Sequence, residues 1–337
     1  MNILIKGWID IYHSYAIVNY FHLKYITQEN DLTIYFEETE FYNKNWQKKF
    51  NNNLNLKKCN NEKIDLIFRI AFPYVIEDTD IPQILFFTSE YHTFVPEFFN
   101  KSYEEISVLV KNKKLFLLTP SYNSSLAFSD LDVKIIPHGT DYKRINDNYR
   151  KELNIPENSK VFLNISGMTG NKNIKTILSA FEKINNNNWV LILKGNNDLY
   201  NSIEMLNQTV RLVNFDKIKN NLRIITTSLF FEEINKLYST ADVYIDAGVY
   251  EGFSMPVVEA KSCGLSIITD KNAPLNSLAD YKFKDVDSLV DIINKDKFNV
   301  SVLPCKYQWT SVASELKNFF YNCKDGFVST TREIKNT

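Results

Sequence analysis

The sequence predicts an α/β fold with two domains, each built on a doubly wound parallel sheet. Short apolar runs alternate along the chain with stretches long enough for helices, and this alternation is typical of a parallel sheet covered by helices on both faces. The length of 337 residues exceeds one ordinary hydrophobic core and suits two domains of roughly 150 residues each. A polar, charged stretch that ends near Pro156 separates the apolar runs into two series.

Six apolar runs predict the strands of the first domain, and five predict those of the second. The first six are residues 3–5, 32–36, 64–70, 84–87, 115–118 and 133–136. The second series begins near Val161 and continues at 190–193, 222–225, 243–245 and 265–268. We therefore predict a first domain over 1–143, a linker or hinge over 144–158, a second domain over 159–306 and a final helix with its tail over 307–337. That final segment has an apolar stripe at helical spacing, formed by Trp309, Val312, Leu316, Phe319 and Phe320.

Composition and charge argue against several classes of protein. Lysine and arginine total 39 and aspartate and glutamate 40, so the overall charge does not indicate a nucleic-acid partner. The four cysteines have neither the spacing of a metal site nor a disulfide pattern. The sequence has no apolar stretch of about 18 residues and no pattern of a secretory signal. We expect a soluble, cytoplasmic protein with reduced thiols.

The most informative motif runs from Tyr250 to Gly264 and places two carboxylates, Glu251 and Glu259, on either side of a helix start. Ser254 is a candidate N-cap, Pro256 suits the first helical turn and Gly264 suits the helix end, so we predict a helix over about 256–263. Glu251 then lies in the preceding loop, with Glu259 one turn inside the helix. Backbone N–H groups at the positive end of this helix predict an anion site, formed by Gly252, Phe253, Ser254 and Met255.

The run from Ser239 to Ala260 resembles the Glu-x7-Glu signature of retaining glycosyltransferases of family four. The resemblance implies the GT-B fold, in which two Rossmann-like domains face a cleft and the last helix crosses back to the first domain. It also implies that Glu251 and the following loop amides contact the donor sugar, and that Glu259 binds the ribose of the nucleotide.

A second match lies at residues 161–181, where an apolar run, a glycine-containing turn and a helical pattern follow one another. The family has an arginine and a lysine here for the pyrophosphate. Lys172 matches the lysine, whereas residues 166–168 lack the arginine. Gly167 and Gly170 could instead let backbone amides approach the phosphates, so we assign Lys172, Gly167 and Gly170 to the phosphate site.

The first domain has weaker candidates for the cleft. Gly7 follows the first apolar run and could allow close approach of a ligand to the backbone. Glu90 and His92 follow the fourth run, where open α/β sheets place ligands, and they compete for a sugar-contacting position of the family. Five further residues could reach the cleft, but each of them could instead cap a helix or belong to a loop or turn: Asp10, His13, Ser14, Ser121 and His138.

These residues predict a retaining glycosyltransferase that moves a sugar from a UDP- or GDP-sugar to a hydroxyl of a glycan, glycolipid or protein-linked acceptor. We expect no metal or other cofactor, because the Asp-x-Asp triplet of Asp78 and Asp80 precedes Ile-Pro in a predicted surface loop. Two alternatives remain open: a GT-B module that binds nucleotide without turnover, and a GT-B enzyme of other chemistry such as an epimerase or a base glycosyltransferase. Three lysines could give a weak peripheral membrane contact, namely Lys111, Lys113 and Lys114.

Overall fold

The computed structural model describes residues 1–41, 53–185, 188–229, 231–295 and 297–335. The chain divides into two compact units, Thr140–Pro304 and a unit formed by Met1–Gly139 with Cys305–Thr337. Residues 144–158, which we predicted as a linker, lie in the unit Thr140–Pro304. They pack on it directly, since the backbone N–H of Tyr149 donates to Thr240 Oγ1 at 2.8 Å.

Twelve strands and ten helices of more than one turn are present in the described residues. The strands are β1 (Asn2–Gly7), β2 (Thr33–Glu38), β3 (Leu66–Ile70), β4 (Gln83–Phe86), β5 (Leu115–Thr119), β6 (Val133–Ile135), β7 (Lys160–Ile165), β8 (Trp189–Lys194), β9 (Leu222–Ile225), β10 (Val243–Asp246), β11 (Ser266–Asp270) and β12 (Tyr281–Phe283). The helices are α1 (Ser14–Ile26), α2 (Tyr103–Lys111), α3 (Tyr122–Ser125), α4 (Ile174–Glu182), α5 (Asn197–Tyr200), α6 (Ser202–Val210), α7 (Phe231–Thr240), α8 (Met255–Ser262), α9 (Val286–Ile293) and α10 (Trp309–Lys335). All eleven predicted strands are present, and the order of strands and helices confirms the alternating pattern.

The first unit contains a parallel sheet with the strand order β2-β1-β3-β4-β5-β6. Helix α10 packs against α1 of the same unit, and the Trp309 ring stacks on Phe21 with centroids 5.0 Å apart. The predicted stripe of the last helix is therefore a packing surface, and its most deeply buried members are Trp309, Val312, Leu316 and Phe320.

The second unit contains a parallel sheet with the order β12-β11-β10-β7-β8-β9. From β7 the chain builds outward through β8 and β9 on one side, and it then returns to place β10, β11 and β12 on the other. The strand order therefore reverses between the neighbours β7 and β10. Open α/β sheets bind ligands at such a switch point, beyond the carboxyl ends of the strands. Strand β12 has only three residues and pairs only with β11, and the sequence pattern did not predict it.

Among the described parts of the chain, none of the helices is both long and apolar enough to cross a membrane. All four cysteines are free thiols: Cys59, Cys263, Cys305 and Cys323.

Candidate active site

Two loops meet at the switch point of the second sheet. One joins β7 to α4 and carries the predicted phosphate site, and the other joins β10 to α8 and carries the first glutamate of the motif. The side-chain amide of Asn171 donates to the backbone oxygen of Tyr250 at 3.1 Å and links the loops. The parallel pairing of β7 with β10 thus brings together the two motifs that lie far apart in the sequence.

An ion pair lies at the centre of this site. Lys172 ends a short 3-10 turn over Gly170–Lys172, and its ammonium lies 3.1 Å from Oε1 of Glu251. Glu251 is only 7% exposed, so its carboxylate is desolvated and depends on this cation. A Cβ on Gly248 would overlap Oε1 of Glu251, which means that glycine at 248 provides the space for the carboxylate.

A third acidic group, Asp246, lies beneath the loop, and we did not predict it. It is buried, accepts from the backbone N–H of Gly248 at 3.0 Å and accepts from the Ser254 hydroxyl at 2.6 Å. Burial, reinforced by the nearby Glu251 carboxylate, raises the pKa of Asp246 to about 7. Asp246 is the last residue of β10, and an acidic residue that ends a central strand beside a charged loop is the signal that could have found it.

Ser254 has a different role from the one we predicted. It occupies the N-cap position of α8, but its side chain makes no cap hydrogen bond, and its backbone is left-handed with φ 69°. This conformation is costly for a residue other than glycine. The hydroxyl of Ser254 binds Asp246 instead, so Asp246 holds the turn that leads from Glu251 into the helix.

Glu259 lies in α8, as predicted, and points toward α7. The Tyr238 hydroxyl donates to Oε2 of Glu259 at 2.6 Å. Burial raises the pKa of Glu259 to about 7, and the Tyr238 hydrogen bond opposes part of that shift. The helix ends one residue earlier than predicted, at Ser262, and Gly264 follows with φ +75°, which is the left-handed conformation expected after a helix end.

Gly167 and Gly170 lie in the loop after β7, as predicted, but in different surroundings. A Cβ on Gly170 would meet no atom within 4 Å, whereas a Cβ on Gly167 would lie 3.0 Å from the Tyr200 ring. The buried Ser202 hydroxyl donates to the backbone oxygen of Gly167 at 2.9 Å and accepts from the N–H of Asn196 at 3.0 Å. This contact ties the loop after β7 to the loop after β8.

The remaining anion-site candidates surround the start of α8. Gly252 and Phe253 precede Ser254, Phe253 is buried, and Met255 is the first helical residue. The positive end of α8 therefore begins in the loop that carries Glu251.

The candidates of the first unit are mostly structural. Gly7 ends β1, where a Cβ would lie 2.6 Å from the Ile70 oxygen, so the close approach there is between strands. His13 caps α1, since its Nδ1 accepts from the N–H of Tyr15 at 3.2 Å. Ser121 caps α3 in the same way, with Ser124 as donor. Asp10 and Ser14 flank these positions, in a left-handed turn and at the first residue of α1 respectively.

Glu90 and His92 lie in the loop after β4, and their assignment to a sugar stays a prediction. Glu90 is exposed. His92 is half-buried and left-handed with φ 58°, and its buried Nε2 makes no hydrogen bond to any described residue. His138 is buried, and its ring packs against Phe86 with centroids 5.5 Å apart.

The Asp-x-Asp triplet forms ion pairs with lysines. Asp78 pairs with Lys101 at 2.7 Å and Asp80 with Lys114 at 3.5 Å, so Lys114 is one member of the predicted basic cluster that has an acidic partner. The described residues contain no group of three or more histidine, cysteine, aspartate or glutamate side chains arranged to hold a metal.

Comparison with known proteins shows that the stretch containing this site is similar to a known family. Residues 145–294 match the family model Glycosyl transferases group 1. Over 217 residues the chain is 26% identical to the lipopolysaccharide 1,2-N-acetylglucosaminetransferase of Salmonella typhimurium. The alignment covers 56% of this chain and 57% of that protein. The chain spans about half the length of the curated relatives it matches.

Solved structures with similar folds cover almost the whole chain. Sucrose-phosphate synthase from Thermosynechococcus elongatus superposes with a TM-score of 0.68 at 14% identity, covering 96% of this chain and 99% of that one. Anabaena HepE, solved in complex with UDP, superposes with a TM-score of 0.61 at 15% identity and covers 100% of both chains. These likenesses confirm the predicted fold class, α/β of the GT-B kind with two Rossmann-like units.

Proposed function

We propose that the protein is a retaining glycosyltransferase that transfers a sugar from a UDP-sugar to a hydroxyl group of a glycan or glycolipid. The observation that carries the proposal is the pairing of Lys172 with Glu251 at the switch point of the second sheet. Support comes from the match of residues 145–294 to Glycosyl transferases group 1. The name of the Salmonella relative supports a glycan acceptor, and the UDP complex of HepE supports the nucleotide.

The charges of the site suit the departure of a diphosphate. Breaking the anomeric bond makes the sugar ring more positive and the leaving phosphate more negative, so fixed cations and dipoles stabilise the transition state. Lys172 and the positive end of α8 would act on the leaving phosphate. We infer that no metal is required, and activity in the presence of a chelator tests that inference.

The two glutamates of the motif would have different roles. Glu251 would orient the donor sugar and stabilise its developing positive charge. Glu259 would accept hydrogen bonds from the ribose hydroxyls, held in place by Tyr238. For retention, we propose that the acceptor attacks the face from which the leaving group departs and that the phosphate takes the acceptor's proton.

The proposal is tested by measuring nucleotide release from a panel of UDP-sugars and GDP-sugars, with and without glycan acceptors, in the presence of EDTA. We expect UDP release from one UDP-sugar, increased by the correct acceptor and nearly abolished in Glu251→Gln. Analysis of the product by NMR should show the anomeric configuration of the donor. A protein that binds UDP but releases no nucleotide from any donor would instead be a non-catalytic module.

A further inference from the structure

Lys194 is a buried cation that the proposed reaction does not yet use. It is the last residue of β8 and is only 5% exposed. Its ammonium donates to the backbone oxygen of Gly195, which is a neutral acceptor. No acidic side chain of the described residues lies within 4.0 Å of it. Burying a charge without a close counter-ion costs free energy, and the described side chains do not supply such a counter-ion to Lys194.

The register of the sheet shows which face Lys194 occupies. Leu191 and Leu193 of β8 belong to the core cluster that includes Phe162, so Lys194 points to the opposite face. In the parallel register Lys194 is beside Ile165, whose backbone oxygen accepts from the Tyr244 hydroxyl at 3.1 Å. Tyr244 and Asp246 are two residues apart on β10, so the side chains of both lie on that face. Lys194 therefore lies at the same edge and on the same face as Asp246.

The loops around Lys194 connect it to the candidate phosphate loop. Its ammonium contacts the oxygen of the following residue, Gly195, and so lies toward the carboxyl end of the strand. The Ser202 hydroxyl bridges the loop after β8 and the backbone oxygen of Gly167. The backbone that follows Lys194 is thus joined to the loop that carries Gly167 and Gly170.

The charge balance of the site points to an anion. Glu251 already neutralises Lys172, whereas Lys194 keeps its charge without a carboxylate partner. Burial lowers the pKa of Lys194 to about 8, and the more distant Glu233 offsets part of that shift. A ligand with two or more negative charges would pair with this ammonium and remove the cost of its burial.

We propose that Lys194 forms an anion subsite that binds the diphosphate of the sugar nucleotide, as a second cation beside Lys172. This inference rests on the proposed function, because it takes the donor to be a nucleoside diphosphate derivative. Lys194 supplies a charge that does not depend on breaking the pair between Lys172 and Glu251.

The test compares UDP with uridine by isothermal titration calorimetry at pH 7 in EDTA, for the wild type, Lys194→Met, Lys194→Arg and the control Lys183→Met. Lys183 is an exposed lysine of the opposite helical layer that pairs with Asp287. We expect Lys194→Met to weaken UDP binding about ten- to a hundredfold and to leave uridine binding unchanged. Lys194→Arg should retain most of the UDP affinity, and Lys183→Met should behave as the wild type.

Thermal unfolding without ligand shows whether Lys194 is merely structural. Met removes an uncompensated buried charge, so we expect Lys194→Met to be at least as stable as the wild type without UDP. Unchanged UDP affinity in Lys194→Met would overturn the inference, as would equal losses for UDP and uridine, which would place Lys194 at the base or ribose. If the wild type binds no nucleotide, the proposed function itself fails, whatever Lys194 does.

Discussion

The Lys172 ammonium lies 3.1 Å from Oε1 of Glu251, so the cation predicted for the phosphate and the carboxylate predicted for the sugar neutralise each other. The pair links the two loops of the candidate site. In the reaction that we propose, the diphosphate of the donor would compete with Glu251 for Lys172, and Glu251 would then turn its charge toward the sugar. We therefore propose that donor binding sets the orientation of the Glu251 carboxylate.

Glu251→Gln should separate binding from catalysis. Glutamine keeps the shape of the side chain but no longer neutralises Lys172, so we expect UDP affinity to stay the same or increase. Transfer should fall by about a hundredfold or more, because the carboxylate that stabilises the sugar is lost. Calorimetry with UDP and steady-state kinetics with the donor measure the two effects. Full transfer activity in this variant would remove Glu251 from the reaction.

Gly248→Ala should displace Glu251 without changing any charge. The added Cβ would overlap the Glu251 carboxylate, whose flexible side chain can move away from Lys172. We expect transfer to fall several-fold or more while the fold is kept. Gly326→Ala in α10 is the control, because it lies outside the candidate site and its Cβ would make only an ordinary contact, 3.9 Å from Phe116. Equal activity of the two variants would contradict the account of position 248.

Asp246→Asn should change how stability depends on pH. In the folded protein the pKa of Asp246 is about 7, above its value of about 4 in an unfolded chain. The folded state therefore holds the extra proton between about pH 4 and 7, and wild-type stability falls as the pH rises through that window. Asparagine does not titrate, so the stability of the variant should not fall in this way. From pH 5 to pH 8, the difference in the free energy of unfolding between variant and wild type should therefore change by on the order of 2–4 kcal/mol in favour of the variant. Urea unfolding curves at several pH values measure the difference, and parallel pH profiles would rule the effect out.

Gly139→Ala should destabilise the first unit. A Cβ at 139 would lie 2.7 Å from the backbone nitrogen of Trp309 and 2.8 Å from its Cα, so backbone as well as side-chain atoms must shift. We expect a loss of about 1–3 kcal/mol. The control is Gly326→Ala within α10, whose Cβ would be 3.9 Å from Phe116 and which should stabilise the helix by about 0.5–1 kcal/mol. Thermal unfolding should show shifts of opposite sign; a stable Gly139→Ala protein would contradict this packing role.

Much of the fold could be predicted because the strands are short apolar runs and their signal is local. The helix predicted over about 256–263 and the buried face of α4 were found for the same reason, since Pro256, Gly264 and the spacing of Ile174 and Phe181 are local signals. Strand β12 was missed because three residues that include an exposed lysine at 282 carry too little pattern.

The contacts of the site could not be predicted in the same way. The pair between Lys172 and Glu251 depends on β10 returning to lie beside β7, which is a property of strand order. The hydrogen bond between Asp246 and the left-handed Ser254 likewise depends on the folded structure. The burial of Lys194 without an acidic side chain close to its ammonium also depends on the folded structure.

The most direct test of the account is calorimetric titration of UDP, GDP, ADP and CMP into the purified protein in EDTA, repeated with Glu259→Ala. The account predicts selective binding of UDP, weakened by about 1–3 kcal/mol in the variant because hydrogen bonds to a charged group are lost. Tyr238→Phe should weaken binding less, since it removes only the hydroxyl that holds Glu259 at 2.6 Å. Equal UDP affinity in the wild type and Glu259→Ala, or no binding of any nucleotide, would contradict the donor site proposed at the carboxyl edge of the second sheet.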